Sequence, residues 1–588
     1  MPILELKSSH KVIKDYYQEI NQLLTAGHLD EGAVAPIFGM LLHQCAHQLK
    51  WQLVEQKRVA KGVIPDGVFY DELNLPRGLW EAKDTKDDLD TEINKKFAKG
   101  YPKDNILFQS PDRLVIYQNR DTPVFDEVIR DRPEQLVEGL KQFFGYEKPQ
   151  VREWQSAAEE FQGKIADLGK RLVSIIDDAQ RNNKRFKAAF ERFTEQCRQN
   201  INPNLAVDAV KEMLIQHLLT ERIFTNIFNN PEFVQKNVIA REIDHVIQAL
   251  TSQSFSKAEF IKQHQLDKFY TVLERAAATI EDYGDKQTFL NMVYERFFQG
   301  FAVKVADTHG IVYTPQPIVD FMVKSVEEIL QREFGKSLAS EGVHIIDPFV
   351  GTGNFIVRIL REIRQLNPLS LKAKYQNELH CNEVMLLPYY IACMNIEHVF
   401  YELTGEYQPF EGICLVDTFE LIEDRQMEMF VPENTKRVQR QKESPIFVII
   451  GNPPYNVGQQ NENDNNKNRK YPKLDKMVSE TYAKDSKATL KNKLSDPYVK
   501  AFKWAAWRLE GRNEGIVAFV SNNSFLENIA FDGMRSYLEK EFSKIYVLDL
   551  GGNVRKNPKL SGTTHNVFGI QVGVSVALLI KKGKNDAP

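Results

Sequence analysis

Strand and helix patterns alternate along residues 301–588, and this alternation limits the possible folds more than any other feature of the chain. Apolar runs of strand length are separated by longer stretches with helical spacing, such as FIVRILREIRQL and DPYVKAFKWAAWRL. The strand candidates are HIID, ELHCNEV, GICLVD, FVIIGN, IVAFVS, IYVLDL and VSVALLI. Strands that alternate with helices form a mostly parallel, doubly wound sheet. We therefore expect an α/β domain whose ligands bind at the carboxyl ends of its strands.

A glycine-rich turn follows the first strand candidate. The segment Asp347–Phe355, DPFVGTGNF, lies between HIID and a helical stretch, which predicts a strand–turn–helix unit. Gly351 and Gly353 carry no Cβ, so the backbone there can approach a ligand closely. The GxG spacing lacks the third glycine of the dinucleotide-binding fingerprint. Taken alone, the segment is explained equally well as an ordinary tight turn.

The tetrapeptide Asn452-Pro453-Pro454-Tyr455 directly follows the strand candidate FVIIG. An amino group conjugated to an aromatic ring is a poor nucleophile, and two acceptors aimed at its hydrogens favour the pyramidal, nucleophilic nitrogen. The Asn452 amide oxygen and the Pro453 carbonyl can be those acceptors, since the two prolines fix the turn. Tyr455 offers a face on which a planar base can stack. A plain strand-ending turn is the alternative for Asn-Pro, and the glycine turn on the same sheet argues against it.

These motifs resemble those of the γ-class DNA adenine-N6 methyltransferases, from Gly310 to Lys582 and in the order X, then I through VIII. The resemblance implies a Rossmann-like domain that binds S-adenosylmethionine and acts on a flipped adenine in double-stranded DNA. The residues that match cofactor-binding motifs are Tyr313, Thr314, Pro315, Asp347, Pro348, Gly351, Gly353, Phe355, Glu383, Asp417 and Phe419. The residues that match the catalytic motif are Asn452, Pro453, Pro454 and Tyr455. Phe568 matches a position that packs against the flipped base, and Tyr455 is also expected to contact that base. For Phe568, a role as an ordinary core aromatic is an equal alternative.

The resemblance also implies separate roles within the cofactor site. The segment HGIVYTP matches the motif that closes over the methionine part of S-adenosylmethionine. Asp347 and Gly351 match residues beside that part. Glu383 matches the residue that holds the ribose hydroxyls, and a carboxylate can accept from two hydroxyls. A surface glutamate is the alternative. Asp417 and Phe419 match the motif that binds the cofactor's adenine.

A second group of charged residues lies within residues 1–145, which have a mixed α/β pattern. Helical spacing fills the first 55 residues, and the strand candidates VIPDGVFY, GLWEAKD, NILFQS and RLVIYQN follow. Glu81 and Lys83 share one face of the second candidate, and Asp66 lies beside them if the first two strands pair. Two carboxylates can then bind Mg²⁺. The metal would stabilise charge on a scissile phosphate while the lysine orients or deprotonates the attacking water.

Asp66, Glu81 and Lys83 resemble the motif of the PD-(D/E)XK nucleases in their Mrr-like form. The resemblance implies that all three are catalytic, that Asp66 and Glu81 bind Mg²⁺, and that DNA is cleaved. Glu31 and Gln109 are candidate accessory residues. The alternatives are a charged hairpin edge and a nuclease fold that has lost its activity.

Residues 146–300 predict an all-helical connector, because strand patterns are nearly absent there. Its first helical repeat consists of Phe161, Ile165, Leu168, Leu172 and Ile175. The segment RNNKRFKAAFERFTEQCRQN carries six basic residues against two acidic ones. Such a segment can contact phosphates, although a solvated helix face explains it more simply. We thus predict three domains: a nuclease domain at 1–145, the connector at 146–300 and a methyltransferase domain at 301–588.

Composition argues against several other classes of protein. The 588 residues are 42% apolar with a net charge of −4, which excludes wholesale disorder and a uniformly basic nucleic-acid coat. The five cysteines form no CxxC pair, which indicates a reducing cytoplasm rather than a disulfide framework or a zinc knuckle. The family resemblance implies that this cytoplasm is prokaryotic. The N-terminus lacks the apolar core of a signal peptide, and no apolar run reaches membrane-spanning length. We therefore expect no membrane partner.

A nuclease-like module, a helical connector and an adenine methyltransferase in one chain resemble the fused restriction–modification enzymes of type IIG. The methyltransferase motifs are also similar to those of the type ISP enzymes, which carry a helicase. In this chain Gly335-Lys336-Ser337 has Leu330 where a P-loop requires its first glycine. The connector has no strands from which to build a helicase core. We therefore expect no ATP.

In γ-class enzymes a target-recognition domain follows motif VIII, but only KKGKNDAP follows VSVALLI here. We expect a truncated chain or a separate sequence-recognition subunit. The leading hypothesis is a restriction–modification enzyme that methylates adenine N6 and cleaves unmodified DNA with Mg²⁺. The alternatives are an adenine methyltransferase whose nuclease-like domain only binds DNA, a methyltransferase acting on RNA or protein glutamine, and a noncatalytic binding subunit.

Overall fold

The structure, a computed structural model, divides the chain into two compact units. One unit comprises Met1–Lys164 with Lys262–Phe298, and the other comprises Ile165–Ile261 with Gln299–Pro588. The residues that the structure describes are 4–26, 31–56, 63–71, 76–84, 88–146, 167–200, 205–227, 233–252, 255–264, 266–278, 314–423, 432–455, 470–488, 492–552 and 572–583.

The first unit is built on a six-stranded sheet in which the spatial order of the strands follows the chain order. Its strands are β1 (Gln52–Glu55), β2 (Gly67–Tyr70), β3 (Pro76–Ala82), β4 (Ile106–Gln109), β5 (Arg113–Tyr117) and β6 (Phe125–Val128). Its first helices are α1 (Lys11–Ala26), α2 (Glu31–Gln48), α3 (Leu89–Ala98) and α4 (Pro133–Phe144). All neighbouring strands are antiparallel except β3 and β4. That parallel pair requires a crossover, which α3 supplies.

The helical pattern at the N-terminus ends earlier than we predicted. We expected helix through residue 55, but α2 ends at Gln48, and Gln52–Glu55 forms β1 against β2. Lys50 and Gln56 have φ values of 59° and 49°, so the backbone turns at both ends of β1. Four residues are too few to reveal a strand from sequence alone, and pairing with β2 decides the conformation.

The described part of residues 167–278 is helical, as the connector pattern predicts. The helices are α5 (167–182), α6 (Lys184–Asn200), α7 (Val207–Ile227), α8 (Phe233–Lys236), α9 (Val238–Thr251), α10 (Lys257–Gln263) and α11 (Leu266–Ala278). Asn237 caps α9 through hydrogen bonds from the backbone nitrogens of Ile239 and Ala240. Asn183 joins α6 to α9, because its Nδ2 donates to the Ala249 carbonyl.

The second unit contains a seven-stranded sheet with the order β12-β13-β11-β10-β7-β8-β9. Its strands are β7 (His344–Asp347), β8 (Leu379–Glu383), β9 (Ile413–Leu415), β10 (Ile446–Gly451), β11 (Gly515–Asn522), β12 (Lys544–Gly551) and β13 (Val574–Lys581). The longer helices around it are α12 (Gln316–Phe334), α13 (Asn354–Leu366), α14 (Leu386–Thr404), α15 (Pro432–Glu443), α16 (Pro472–Val478), α17 (Pro497–Arg508) and α18 (Asp532–Glu541). Only β13 runs antiparallel to its neighbours. The predicted α/β class with a Rossmann-like sheet is thus confirmed.

The strand order reverses beside β7, and this reversal positions the two sequence motifs of the second unit. From β7 the chain moves outward through β8 and β9, then returns to place β10 on the other side of β7. Ligands of doubly wound sheets bind at such a switch point, outside the carboxyl ends of the strands. The glycine turn follows β7 and the Asn-Pro-Pro-Tyr segment follows β10, so both motifs lie at this point.

Two further features concern the chain as a whole. The five cysteines are buried and free of disulfide bonds. Among the described helices, none combines the length and the apolar composition needed to cross a bilayer.

Candidate active sites

The ends of β7 and β10 bring Asp347 and Asn452 to one place. Ile346 on β7 is in register with Ile449 on β10, and Asp347 therefore lies against Gly451, the residue before Asn452. Gly451 makes this approach possible. A Cβ at Gly451 would lie 2.6 Å from Asp347 Oδ1, closer than side chains tolerate.

The turn after β7 adopts a conformation that requires both glycines. Gly351 and Gly353 have φ values of +54° and +94°, in the left-handed region. Nothing among the described atoms comes within 4 Å of a Cβ built on Gly351, so the turn leaves open space there. The far side of the turn is held by Asn395 of α14, whose Nδ2 donates to the Thr352 carbonyl at 2.8 Å. The turn is therefore anchored on one side and open on the other.

Asp347 is a buried carboxylate without a counter-ion among the described residues. Its side chain is fully buried, and Oδ1 accepts one hydrogen bond from the Phe349 backbone nitrogen. Oδ2 has no hydrogen-bond partner in the described part of the chain. Burial raises the pKa of Asp347 to about 8, and the nearby Glu383 carboxylate adds to the rise. Such a group favours a ligand that brings positive charge.

Glu383 ends β8 and is held by backbone groups. Its Oε2 accepts from the Gly351 nitrogen at 3.0 Å, and its Oε1 accepts from the nitrogens of Val384 and Met385 at 2.9 Å. Burial raises its pKa to about 7, against the lowering effect of these hydrogen bonds. The side chain is half-buried beside the open space over Gly351. Its carboxylate can therefore accept hydrogen bonds from a ligand at the turn.

Asp417 and Phe419 form part of an aromatic cluster after β9. Asp417 caps a short helical turn by accepting from the Phe419 nitrogen, and its Oδ2 accepts from the Tyr471 hydroxyl at 2.9 Å. The Phe419 ring lies 5.5 Å from Phe349 and 5.2 Å from Tyr471 between ring centroids. Phe355, on the first turn of α13, is also buried. Tyr471 had no motif to reveal it in the sequence.

Asn452 is tied to the start of α12. Its Nδ2 donates to Thr314 Oγ1 at 3.0 Å, and Pro315 then begins the helix as its N-cap residue. Tyr455 is 1% exposed, within the apolar core of the second unit, and burial raises the pKa of its hydroxyl. Tyr313 and Phe568 lie outside the described residues.

The three charged residues predicted in the first unit lie at or beside the end of β3. Asp66 Oδ2 accepts from the Ala82 nitrogen at 2.8 Å, which places it beside the end of that strand. Glu81 is fully buried, and burial raises its pKa, with a further rise from Asp66. Lys83 is 5% exposed and its Nζ donates to the Ala82 carbonyl at 2.6 Å. The predicted pairing of β2 with β3 thus brings these residues together.

Lys96 of α3 joins this group and was missed from the sequence. Its Nζ donates to Glu81 Oε2 at 2.5 Å and to the Tyr101 hydroxyl at 3.2 Å. Tyr101 in turn donates to the Ile64 carbonyl, next to the segment that carries Asp66. Gln109 on β4 is fully buried, and its carbonyl accepts from the Lys83 nitrogen. The side chain of Glu31 lies outside the described part.

The fit of this group to Mg²⁺ rests on its two carboxylates. Glu81 Oε1 has no hydrogen-bond partner among the described residues, and Mg²⁺ usually binds one or two carboxylates together with water. No cluster of three or more metal-ligating side chains occurs in the described ranges. Asp66 and Glu81 therefore fit a sparsely liganded magnesium ion.

Two family models match the chain. "Type ISP restriction-modification enzyme, coupler domain" matches residues 157–285, and "N-6 DNA Methylase" matches residues 285–489. The chain carries a type ISP coupler domain and an N6 methylase domain. The curated proteins contain no match to it.

Three solved structures are similar over most of the chain. A DrdV–DNA complex is 37% identical with a TM-score of 0.70, covering 97% of this chain and 56% of that one. LlaBIII, an ATP-dependent type ISP restriction–modification enzyme bound to DNA, is 34% identical with a TM-score of 0.68, covering 84% and 33%. A nuclease-deletion mutant of the type ISP enzyme LlaGI with a DNA substrate mimic is 35% identical with a TM-score of 0.67, covering 77% and 36%. The chain therefore spans 56% of the DrdV chain and about a third of the other two.

The LlaBIII match corrects our expectation about ATP. We predicted none because the chain lacks a P-loop, yet LlaBIII is ATP-dependent, so the expectation is wrong. Gly335 ends α12 in the left-handed conformation, with φ of +62°, so the GKS tripeptide belongs to a helix terminus. The inference failed because this chain spans only 33% of LlaBIII. The lack of a P-loop motif in this sequence therefore carries no information about the other two thirds of LlaBIII.

The coupler and methylase domains contact each other within the second unit. His217 of α7 is buried, and its Nδ1 lies 3.0 Å from the Tyr390 hydroxyl on α14. Asn237 Nδ2 donates to Cys393 Sγ on the same helix. Burial lowers the pKa of His217 to about 4, so the contact is made by a neutral imidazole. The helix that anchors the glycine turn through Asn395 is therefore also the helix on which the coupler packs.

Proposed function

We propose that the methylase domain transfers a methyl group from S-adenosylmethionine to N6 of a flipped adenine in double-stranded DNA. The observation that carries this proposal is the Asp347 carboxylate, buried without a counter-ion in the described residues and lying against Gly451, the residue before Asn452. The three similar solved structures each contain DNA or a DNA mimic, which supports the substrate class.

The residues around the glycine turn fit S-adenosylmethionine. The unpartnered Asp347 Oδ2 suits the cofactor's ammonium group, and the open space over Gly351 admits its methionine part. Glu383 would accept from the ribose hydroxyls, and Asp417 and Phe419 would hold the adenine. Tyr313, Pro315, Pro348, Gly353 and Phe355 complete the proposed set, whereas the side chain of Thr314, which the motif also assigns to the cofactor, bonds Asn452. When bound, the cofactor supplies an electrophilic methyl group on a sulfonium.

The chain's part in methyl transfer is to activate the target amino group. Asn452 Oδ1 and the Pro453 carbonyl would accept its two hydrogens, which concentrates electron density on the nitrogen. Pro453 and Pro454 restrict the backbone and hold the carbonyl in place before the base arrives. Tyr455 is proposed to stack on the base and Phe568 to pack against it. With Tyr455 only 1% exposed, stacking requires that its ring become accessible.

Transfer of labelled methyl to mixed-sequence duplex DNA tests this function. We expect label in N6-methyl-2′-deoxyadenosine after digestion to nucleosides, and its loss in Asn452→Ala. Asn513→Ala, in an exposed loop of the same unit, is the matched control and should keep full activity. Label on RNA or on protein glutamine, and none on DNA, would favour the alternative substrates. Equal transfer by Asn452→Ala would refute the assigned role.

We also propose that the first unit cleaves unmodified DNA with Mg²⁺, making the whole a restriction–modification enzyme. The position of Asp66 and Lys83 beside Glu81 at the end of β3 favours this function. We further propose that the enzyme is related to type IIG and works with a separate sequence-recognition subunit. We propose for it three domains, at 1–145, 146–300 and 301–588.

Cleavage by matched variants tests the nuclease. We expect Asp66→Asn and Glu81→Gln to lose Mg²⁺-dependent cleavage by about 100-fold or more, because each removes a metal ligand. Glu92→Gln on α3 is the control, since the Glu92 carboxylate forms its ion pair with Lys95 and is not a proposed metal ligand. Cleavage unchanged in all three variants would leave a nuclease-like domain that only binds DNA.

A further inference from the structure

The hydrogen bond between Asn452 and Thr314 joins two motifs that lie 138 residues apart. The Asn452 Nδ2 atom donates to Thr314 Oγ1 at 3.0 Å. Thr314 is 7% exposed and directly precedes Pro315, the N-cap residue of α12. Asn452 is half-buried at the end of β10. The contact therefore fixes one end of the amide against a rigid element.

An asparagine amide has two chemically opposite ends. Its oxygen accepts hydrogen bonds, whereas its nitrogen only donates them. An amino target also donates, so only the oxygen end can activate it. The terminal torsion of asparagine is broad and roughly two-fold, so the backbone does not choose between the ends. Pro453 and Pro454 fix the main chain and leave this torsion free.

We propose that Thr314 is a positioning residue for methyl transfer: its hydroxyl takes the nitrogen end of the Asn452 amide and thereby presents the oxygen end to the target amino group. This inference rests on the proposed function. It differs from the role that the sequence motif assigns to Thr314, which is contact with the cofactor. The two roles predict different changes when the hydroxyl is removed.

Removing the hydroxyl separates the two roles. In the full-length protein, we expect Thr314→Val to lower kcat about tenfold, the value of one hydrogen bond, with an unchanged Kd for S-adenosylmethionine by calorimetry. Thr314→Ser keeps the hydroxyl and should restore most of kcat. Thr481→Val removes a hydroxyl bonded to the Met477 carbonyl and is the matched control. A raised cofactor Kd with unchanged kcat in Thr314→Val would overturn the proposal in favour of cofactor contact.

Asn452→Asp gives a sharper test, because a carboxylate accepts at both ends and has no wrong orientation. If Thr314 only orients the amide, Thr314→Val should cost less than about twofold in the Asn452→Asp background. An undiminished tenfold cost there would overturn the proposal. If Asn452→Asp is inactive, the proposal is decided by the kcat values and cofactor Kd values of Thr314→Val and Thr314→Ser alone. A wild-type protein that methylates no DNA would instead refute the proposed function, and the inference with it.

Discussion

Asp347 and Glu81 are both buried carboxylates at the ends of strands, yet their surroundings differ in one decisive respect. Glu81 already has a cation, because Lys96 Nζ lies against its Oε2. Asp347 has none among the described residues, and its pKa is raised to about 8. Burying an unpaired charge is costly, so Asp347 stays protonated near neutral pH until a cation arrives. The methylase site can thus receive a cationic ligand directly. A metal bound by Glu81 in the first unit must instead displace the Lys96 ammonium group.

The largest effect expected from this contrast is the loss of cofactor affinity in Asp347→Asn. Truncating one partner of a buried charge pair costs about 2–5 kcal/mol, so affinity for S-adenosylmethionine should fall about 30-fold or more. Folding should survive, because Asn replaces a carboxyl that is mostly neutral in the free protein. Glu81→Gln is the control and should bind the cofactor normally. Equal affinity in Asp347→Asn and wild type would show that Asp347 does not receive the cation of the cofactor.

Lys96→Met should destabilise the first unit. Removing the cation leaves Glu81 buried and unpaired, which costs about 3 kcal/mol, measured as faster hydrogen exchange of the β3 amides. Lys95→Met is the matched control, since Lys95 pairs with Glu92 on the exposed face of α3 and should cost little. Added Mg²⁺ should restore part of the loss by replacing the ammonium. If Lys96→Met is as stable as wild type, Glu81 is neutral in the folded protein and the contrast with Asp347 disappears.

Cofactor affinity should depend on pH with a sign set by Asp347. Its pKa in the free protein is about 8, and a cofactor ammonium favours the ionised form, so binding below pH 8 releases a proton. Affinity should therefore rise by up to about tenfold per unit as pH increases from 6 towards 8. Because the folded pKa exceeds that of the unfolded chain, the free protein should also lose stability over that rise. A pH profile of equal slope in Asp347→Asn would assign the effect to another group, such as Glu383.

The smallest expected effect concerns the coupler domain. Tyr390→Phe removes the partner of the buried His217 and should cost about 1–2 kcal/mol of stability in the second unit, read from urea unfolding. Because α14 also holds the glycine turn through Asn395, cofactor affinity should fall slightly as well. Tyr401→Phe, exposed on the same helix, is the control. A loss confined to stability would show that the coupler supports α14 without influencing the turn.

The sheet of the second unit could be predicted because its strands are strongly apolar and its motifs follow directly on two of them. Lys96 could not be predicted, because it reaches Glu81 from the crossover helix and no sequence pattern links them. The contacts of Asn395 with Thr352 and of Thr314 with Asn452 span 43 and 138 residues. Such partners become visible only when the strand order is known. The short strand β1 was lost within a helical pattern for a related reason, since its pairing with β2 determines it.

Proton release on cofactor binding tests the central claim most directly. Calorimetric titration of S-adenosylmethionine at pH 7, in buffers of different ionisation enthalpy, counts the protons released. We predict the release of about one proton, because Asp347 changes from neutral to ionised, and a much smaller release in Asp347→Asn. Tight binding without proton release, or equal release by the variant, would show that Asp347 does not receive the cation and would contradict the account.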